Sequence, residues 1–185
     1  MRADKLLLNV CCAPCSFPII DRLATEQKPP PVLFFYAPNI FPRAEYDQRL
    51  AAVEKVASIY QLKLIAGVYD HNEWLEFIED NLPLPPRRYQ ENEERCRLCL
   101  YYRIRKTAEL GWQKGFKAIS LTLSVSRFKD VKHINEQGER EAAKGSLEYV
   151  NFDLDPHQAH ETGRQLSKLH AVYRQKYCGC EFSLK

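Results

Sequence analysis

The sequence predicts an α/β fold: a single domain over residues 1–185 with a largely parallel sheet flanked by helices. Short apolar runs alternate with segments of helical periodicity along the whole chain, the pattern of strands joined by helical crossovers. The run Val32-Leu33-Phe34-Phe35-Tyr36 is continuously apolar, as expected of a strand covered on both faces. The chain of 185 residues, 45% hydrophobic and 28% charged, is long enough to bury a core of its own.

Leu6-Leu7-Leu8-Asn9-Val10 reads as the first buried strand. Ser16 is the expected cap of a helix running to about Gln27, and Pro29-Pro30-Pro31 then breaks the chain. After the strand at Val32–Tyr36, the positions Tyr46, Leu50, Val53, Ala57 and Tyr60 recur at helical spacing between Pro42 and Tyr60. A third strand is expected near Leu62 to Ala66, then a short helix from Asn72 to Asn81 that Pro83 to Pro86 cannot continue. A longer helix spans Arg95 to about Gly115, followed by a strand over Ala118–Leu123 and a helix over Lys129–Lys144. Leu147–Phe152 is the fifth strand, and His157–Tyr177 the last helix, with Thr162, Leu166, Leu169 and Tyr173 along one side.

Several classes are excluded. No stretch approaches the roughly 20 apolar residues that span a bilayer, and there is no repeat or low-complexity tract. Met1-Arg2-Ala3-Asp4-Lys5 leads at once into a strand-like run, which argues against a signal peptide. The expected compartment is therefore the reducing cytoplasm, where disulfides are disfavoured. Neither a Walker A sequence nor G-x-G-x-x-G occurs.

The seven cysteines carry the chemistry. They form three clusters, Cys11-Cys12-x-x-Cys15, Cys96-x-x-Cys99 and Cys178-x-Cys180. Such spacing lets several sulfurs converge on one point, as a metal or an iron–sulfur cluster requires. The first cluster falls between the first strand and first helix, where a helix N-terminus favours thiolates. Parallel sheets also bind ligands beyond the carboxyl ends of their strands. Cys96 and Cys99 are i, i+3 neighbours on one helical face. Gly179 lets the backbone between Cys178 and Cys180 curl closely around a ligand. Seven thiols exceed one four-ligand site, so the accounting is either two zinc sites completed by a histidine such as His71, or a cluster plus a second metal or reactive thiol. Spacing favours iron–sulfur, because zinc ribbons pair C-x-x-C with C-x-x-C.

Other residues have plainer readings beside the functional ones. Asp70 is a candidate ligand or proton donor and equally a helix cap. His71, His133, His157, His160 and His170 form no H-E-x-x-H pair, and Tyr36, Tyr101, Tyr102, Tyr173 and Tyr177 suit either core packing or base stacking. The net charge of +3 is modest, but Arg87, Arg88, Arg95, Arg97, Arg103, Arg105 and Lys106 bracket the middle cysteine pair, with Arg174 and Lys176 before the last. They form either a solvated helix face or the seat of an anionic partner such as nucleic acid.

The strings Leu7-Leu8-Asn9-Val10-Cys11-Cys12-Ala13-Pro14-Cys15, Arg95-Cys96-Arg97-Leu98-Cys99 and Tyr173-Arg174-Gln175-Lys176-Tyr177-Cys178-Gly179-Cys180-Glu181-Phe182-Ser183 resemble the QueH-type epoxyqueuosine reductases. Tyr36-Ala37-Pro38-Asn39-Ile40 with Glu45, Tyr46 and Arg49 matches a further motif of that family. The resemblance implies reduction of epoxyqueuosine to queuosine at the wobble position of tRNA, the last step of queuosine biosynthesis, without cobalamin. It implies a 4Fe–4S cluster, a second mononuclear metal with iron the first choice, tRNA as partner, and an unidentified low-potential electron donor. The implied fold is adenine-nucleotide hydrolase-like (HUP-type), without the ATP loop and with cysteine-bearing helical segments closing over the metal site. Cys96, Cys99, Cys178 and Cys180 are expected to hold the cluster, and Cys11, Cys12 and Cys15 to lie nearer the second metal. Cys15 and Asp70 are the expected catalytic residues, and the basic residues around the middle pair are expected to meet anticodon-arm phosphates. Asn9 and Ala37 depart from the pattern, where histidine and asparagine are common. The rival readings are an iron–sulfur-dependent tRNA sulfur transferase and a non-catalytic zinc-binding module.

Overall fold

A computed structural model describes residues 6–184; the N-terminal pentapeptide weighed against a signal peptide lies outside them. Five strands form one all-parallel sheet in the order β3-β2-β1-β4-β5. They are β1 (Leu6–Val10), β2 (Val32–Phe35), β3 (Leu64–Ala66), β4 (Ala118–Leu121) and β5 (Glu148–Tyr149). The helices are α1 (Ala13–Thr25), α2 (Arg43–Ile59), α3 (His71–Asp80), α4 (Glu94–Gln113), α5 (Val131–Lys144) and α6 (Pro156–Leu169). Strands β1, β2 and β4 are buried throughout, which is why they read as apolar runs without alternation.

One core packs Leu8, Val10 and Phe35 against Phe17, Ile20 and Val53 of α1 and α2. The other packs Leu7, Phe34 and Ile119 against Trp74, Tyr102 and Ala142 of α3, α4 and α5. The chain leaves β1 toward β2 on one side and returns to β4 on the other. The carboxyl ends of β1 and β4 therefore mark the crevice where a parallel sheet takes its ligand. No helix among the described residues is long and apolar enough to cross a membrane.

The differences from the sequence expectation lie at element ends. Ser16 does not cap α1: the helix begins at Ala13, Cys12 occupies the cap position, and Ser16 Oγ donates to the Ala13 carbonyl inside the first turn. Pro14 in that first turn has a fixed φ suited to initiation, so the helix forms without a hydroxyl cap. The last helix stops at Leu169, and Ala171 at φ 48° turns the chain away, leaving Tyr173–Tyr177 irregular. The fourth strand ends at Leu121 and tightens into a 3-10 turn over Thr122–Val125. The fifth shrinks to two residues, and α5 starts after Asp130, whose carboxylate accepts from the His133 N–H.

Candidate metal centre

Cys11 and Cys12 follow β1 directly, Cys15 lies in the first turn of α1, and Cys96 and Cys99 lie in the first two turns of α4. Cys178-Gly179-Cys180 arrives on an irregular segment, not directly off the end of the helix expected to run to Tyr177. All seven are free thiols. Arg49, 1% exposed on α2, clamps that last segment: its Nη1 donates to the Cys178 carbonyl at 3.0 Å and its Nη2 to that of Tyr177 at 3.0 Å. Nε of Arg49 pairs with Glu45 at 2.7 Å, and Tyr173 Oη donates to the same carboxylate at 2.7 Å. Tyr177 Oη closes the clamp on the Phe41 carbonyl. Gly179 sits at φ +122°, and a Cβ there would stand 3.0 Å from Arg49 Nη1, so only glycine lets the loop lie this close to the clamp.

Two cavities meet at these sulfurs. The smaller, about 80 Å³, is lined by Cys11, Cys96, Cys99, Cys178 and Cys180 with Trp74 and Arg103. The larger, about 470 Å³, is lined by Cys11, Cys12, Cys15 and Cys178 with a basic wall that includes Arg127, Arg174 and Lys176. Cys11 and Cys178 belong to both. Cys96, Cys99 and Cys180 thus line only the smaller cavity, and Cys12 and Cys15 only the larger.

The electrostatics suit thiolate chemistry. Arg103 is buried, and its Nη2 donates to Asn9 Oδ1 at 3.1 Å while Asn9 Nδ2 donates to the Tyr36 carbonyl. Asn9, which departs from the family pattern, is therefore the bracket that aims this guanidinium. Burial alone would lower the Arg103 pKa, but Cys11, Cys99 and Cys178 raise it above the ordinary value. Lys129 behaves alike: burial opposes its charge, and Cys178 with Glu91 holds it. The bond from Cys180 pulls the Cys178 thiol down to about 6, helped by Lys129 and Arg103, while Cys180 is pushed up in return. Burial pushes Cys99 up to about 12. The bond to Cys11 lowers Cys12, but Cys15 and burial outweigh it and leave Cys12 at about 12. Cys11 is raised by its bond to Cys12 and by burial.

Among the described residues no three or more His, Cys, Asp or Glu side chains stand at the separations of a finished metal-ligand set. The donor chemistry nonetheless fits an iron–sulfur cluster. Five sulfurs line one small cavity beside the buried Arg103 and the half-buried Lys129, and soft thiolates are the ligands such clusters take. Four buried polar atoms of its described lining residues also make no hydrogen bond, Trp74 Nε1, Asn39 Oδ1, Arg95 Nε and Arg103 Nε. The indole N–H, left free for a sulfur acceptor, lowers the Cys99 pKa against the burial that raises it.

Not every expected site residue gathers here. Asp70 lines neither cavity; its carboxylate accepts from Tyr36 Oη at 3.1 Å, and burial raises its pKa. His71 also lies outside both, with Nδ1 at 2.7 Å from the Pro38 carbonyl and Nε2 at 3.4 Å from Glu181. Most of the basic group around the middle pair is internally engaged, against the expectation of phosphate contacts. Arg95 donates to the carbonyls of Pro86 and Tyr89, Arg103 to Asn9, and Lys106 to Glu73. Arg105 lies over Phe77 and Tyr102. The sequence reading missed Trp74, Arg127, Phe128 and Lys129 as site residues. The Arg127-Phe128-Lys129 triplet, following a strand at the carboxyl edge of the sheet, is the signal that could have revealed them.

Comparison with known proteins adds the following. The sequence model of the family described as "Epoxyqueuosine reductase QueH" matches residues 6–185. The epoxyqueuosine reductase QueH of Acinetobacter baylyi is 33% identical, over 99% of this chain and 82% of its own. That of Thermotoga maritima is 32% identical, over 97% and 90%, and that of Haemophilus influenzae 31%, over 98% and 72%. Among solved structures, the U34-tRNA thiolase NcsA from Methanococcus maripaludis with its [4Fe-4S] cluster superposes with a TM-score of 0.57 at 12% identity. The match covers all of this chain and 63% of the thiolase, and it bears out the α/β fold with a parallel sheet.

Proposed function

The chain belongs to the QueH family of epoxyqueuosine reductases, and from that premise we propose that it reduces epoxyqueuosine to queuosine at the wobble position of tRNA, without cobalamin. One observation carries the mechanism: the sulfur-lined cavity shares Cys11 and Cys178 with a larger basic one. A cluster bound by the thiols on one side of that shared edge would face a substrate bound on the other. The reaction takes two electrons and two protons; both carbon–oxygen bonds of the epoxide break, a carbon–carbon double bond forms, and the oxygen leaves as water.

Cys96, Cys99, Cys178 and Cys180 would hold a 4Fe–4S cluster, and Cys11, Cys12 and Cys15 a mononuclear metal, iron for preference. When bound, the cluster supplies single electrons at low potential and the second metal supplies Lewis acidity toward the departing oxygen. Arg103 and Lys129 offset the charge of the thiolates, and the Arg49 clamp fixes Cys178 and Cys180 in place. The apolar wall of Leu123, Val125 and Pro18 limits water in the larger cavity. Cys15, partly exposed there, is the proposed thiol at the substrate side. For Asp70 the proposed role is a proton reserve, because its burial favours the protonated acid. The remaining partners are the tRNA anticodon arm and a low-potential reductant in the cytoplasm.

The test is mass spectrometry of nucleosides from epoxyqueuosine-containing tRNA after anaerobic incubation with reductant. Conversion to queuosine is expected, and a cluster-loaded protein that converts none removes the reading. Asp70→Asn with full turnover would remove Asp70 from it alone.

A further inference from the structure

The mouth of the larger cavity holds an aromatic face that the core does not use. Phe128 is 57% exposed, although it lies in the cavity wall. The Arg127 guanidinium stands 4.6 Å from its ring centroid, and His160 meets it edge-on at 5.6 Å. The backbone that presents it is held from several sides. Asn92 Nδ2 donates to the Phe128 carbonyl, Ser126 Oγ accepts from the Phe128 N–H, and Lys129 is tied to Glu91 at 2.6 Å. An exposed ring on an anchored loop is a stacking platform whose ordering cost is already met.

The charge around it is selective. Arg127, Arg174 and Lys176 line the same cavity and form no ion pair among the described residues, whereas Arg164 is neutralised by Glu161 and Lys129 by Glu91. Burial and the charges of Arg127 and Arg174 lower the pKa of His160, so its ring adds no cation at neutral pH. The site therefore offers one flat apolar face in a cavity wall shared with three unpaired cations and with Cys12 and Cys15. Unpaired RNA has the matching shape, a splayed base with phosphates on either side.

We propose that Phe128 stacks on an unpaired nucleobase adjoining the modified nucleoside, while Arg127, Arg174 and Lys176 take the flanking phosphates. The assignment rests on the reductase reading for the identity of the nucleoside inside the cavity, but not for the stack itself. It also moves the RNA contact from the arginines around the middle cysteine pair to the loop after β4 and the segment after α6.

The test measures binding of a fluorescein-labelled RNA hairpin carrying a tRNA anticodon loop to the metal-loaded protein, beside nucleoside conversion on the epoxyqueuosine form of that hairpin. Phe128→Leu keeps apolar bulk but removes the π face, and it should weaken binding roughly 5- to 150-fold, the range for loss of one base–aromatic stack. Phe128→Trp should restore binding, and Trp112→Leu, at an equally exposed aromatic outside both cavities, should leave it unchanged. A hairpin whose loop bases are paired should be insensitive to Phe128→Leu. Wild-type affinity in Phe128→Leu, no rescue by tryptophan, or no hairpin binding by the wild type would overturn the stack. If the wild type binds and Phe128→Leu weakens it while no queuosine forms, the stack stands and the reductase reading falls.

Discussion

Arg49→Met should be among the most damaging single changes outside the cysteines. The guanidinium is almost wholly buried and makes three charge-assisted contacts, to Glu45 and to the carbonyls of Tyr177 and Cys178. Methionine fills much of the volume, so the loss is electrostatic. Glu45 is left buried with only Tyr173 Oη donating to it, and removing one partner of such a pair costs about 3–5 kcal/mol. Against a typical domain stability of about 5–15 kcal/mol this is a large share. Adding Glu45→Gln removes the uncompensated charge, so the double variant should recover roughly 2 kcal/mol relative to Arg49→Met, within the range of coupling for residues in contact. Urea unfolding followed by far-ultraviolet circular dichroism gives all four corners of the cycle. Iron content should fall with Arg49→Met as well, because the Cys178-Gly179-Cys180 segment loses its tether. A single-variant loss below about 1 kcal/mol, or additive effects in the cycle, would refute the view of Arg49 as a buried clamp.

Gly179→Ala, which puts a Cβ against the Arg49 guanidinium at φ +122°, should cost about 1–3 kcal/mol and reduce iron retention; unchanged iron content and unfolding midpoint would count against the close approach. Trp74→Phe removes a buried N–H beside Cys99, and since donors to sulfur favour the reduced, more negative cluster, the reduction potential should move negative in an anaerobic redox titration. In metal-free protein Cys178 should be alkylated first by iodoacetamide at pH 7, because Cys180, Lys129 and Arg103 hold its thiol at about 6, whereas Cys12 and Cys99 at about 12 stay protonated. That reactivity should disappear as pH falls through 6, and peptide mapping that finds all sulfurs labelled alike would reject the assignment.

Much of the site was legible because its chemistry lies in residue types at short spacing. Cys96 and Cys99 share a face by helix geometry alone, and Cys11 and Cys12 follow an apolar run that had to be a strand. Arg49 was harder to weigh. A Glu45–Arg49 pair at i, i+4 looks like an ordinary surface salt bridge, and its burial depends on a segment 128 residues away in sequence. The arginines around the middle pair were hard to weigh for a related reason. Charge composition cannot distinguish a solvated cation from one consumed by Pro86 and Tyr89 carbonyls, as Arg95 is.

The sequence by itself determined the parallel α/β fold and the family and singled out the clustered thiols, since each is written in local periodicity or in contiguous motifs. Only the tertiary structure decided how the sulfurs divide between two cavities, which cations form no ion pair among the described residues, and that Phe128 stands exposed in the wall of the larger cavity. Those properties depend on which distant segments the sheet order brings together at the carboxyl ends of β1 and β4, and no window of neighbouring residues contains that information.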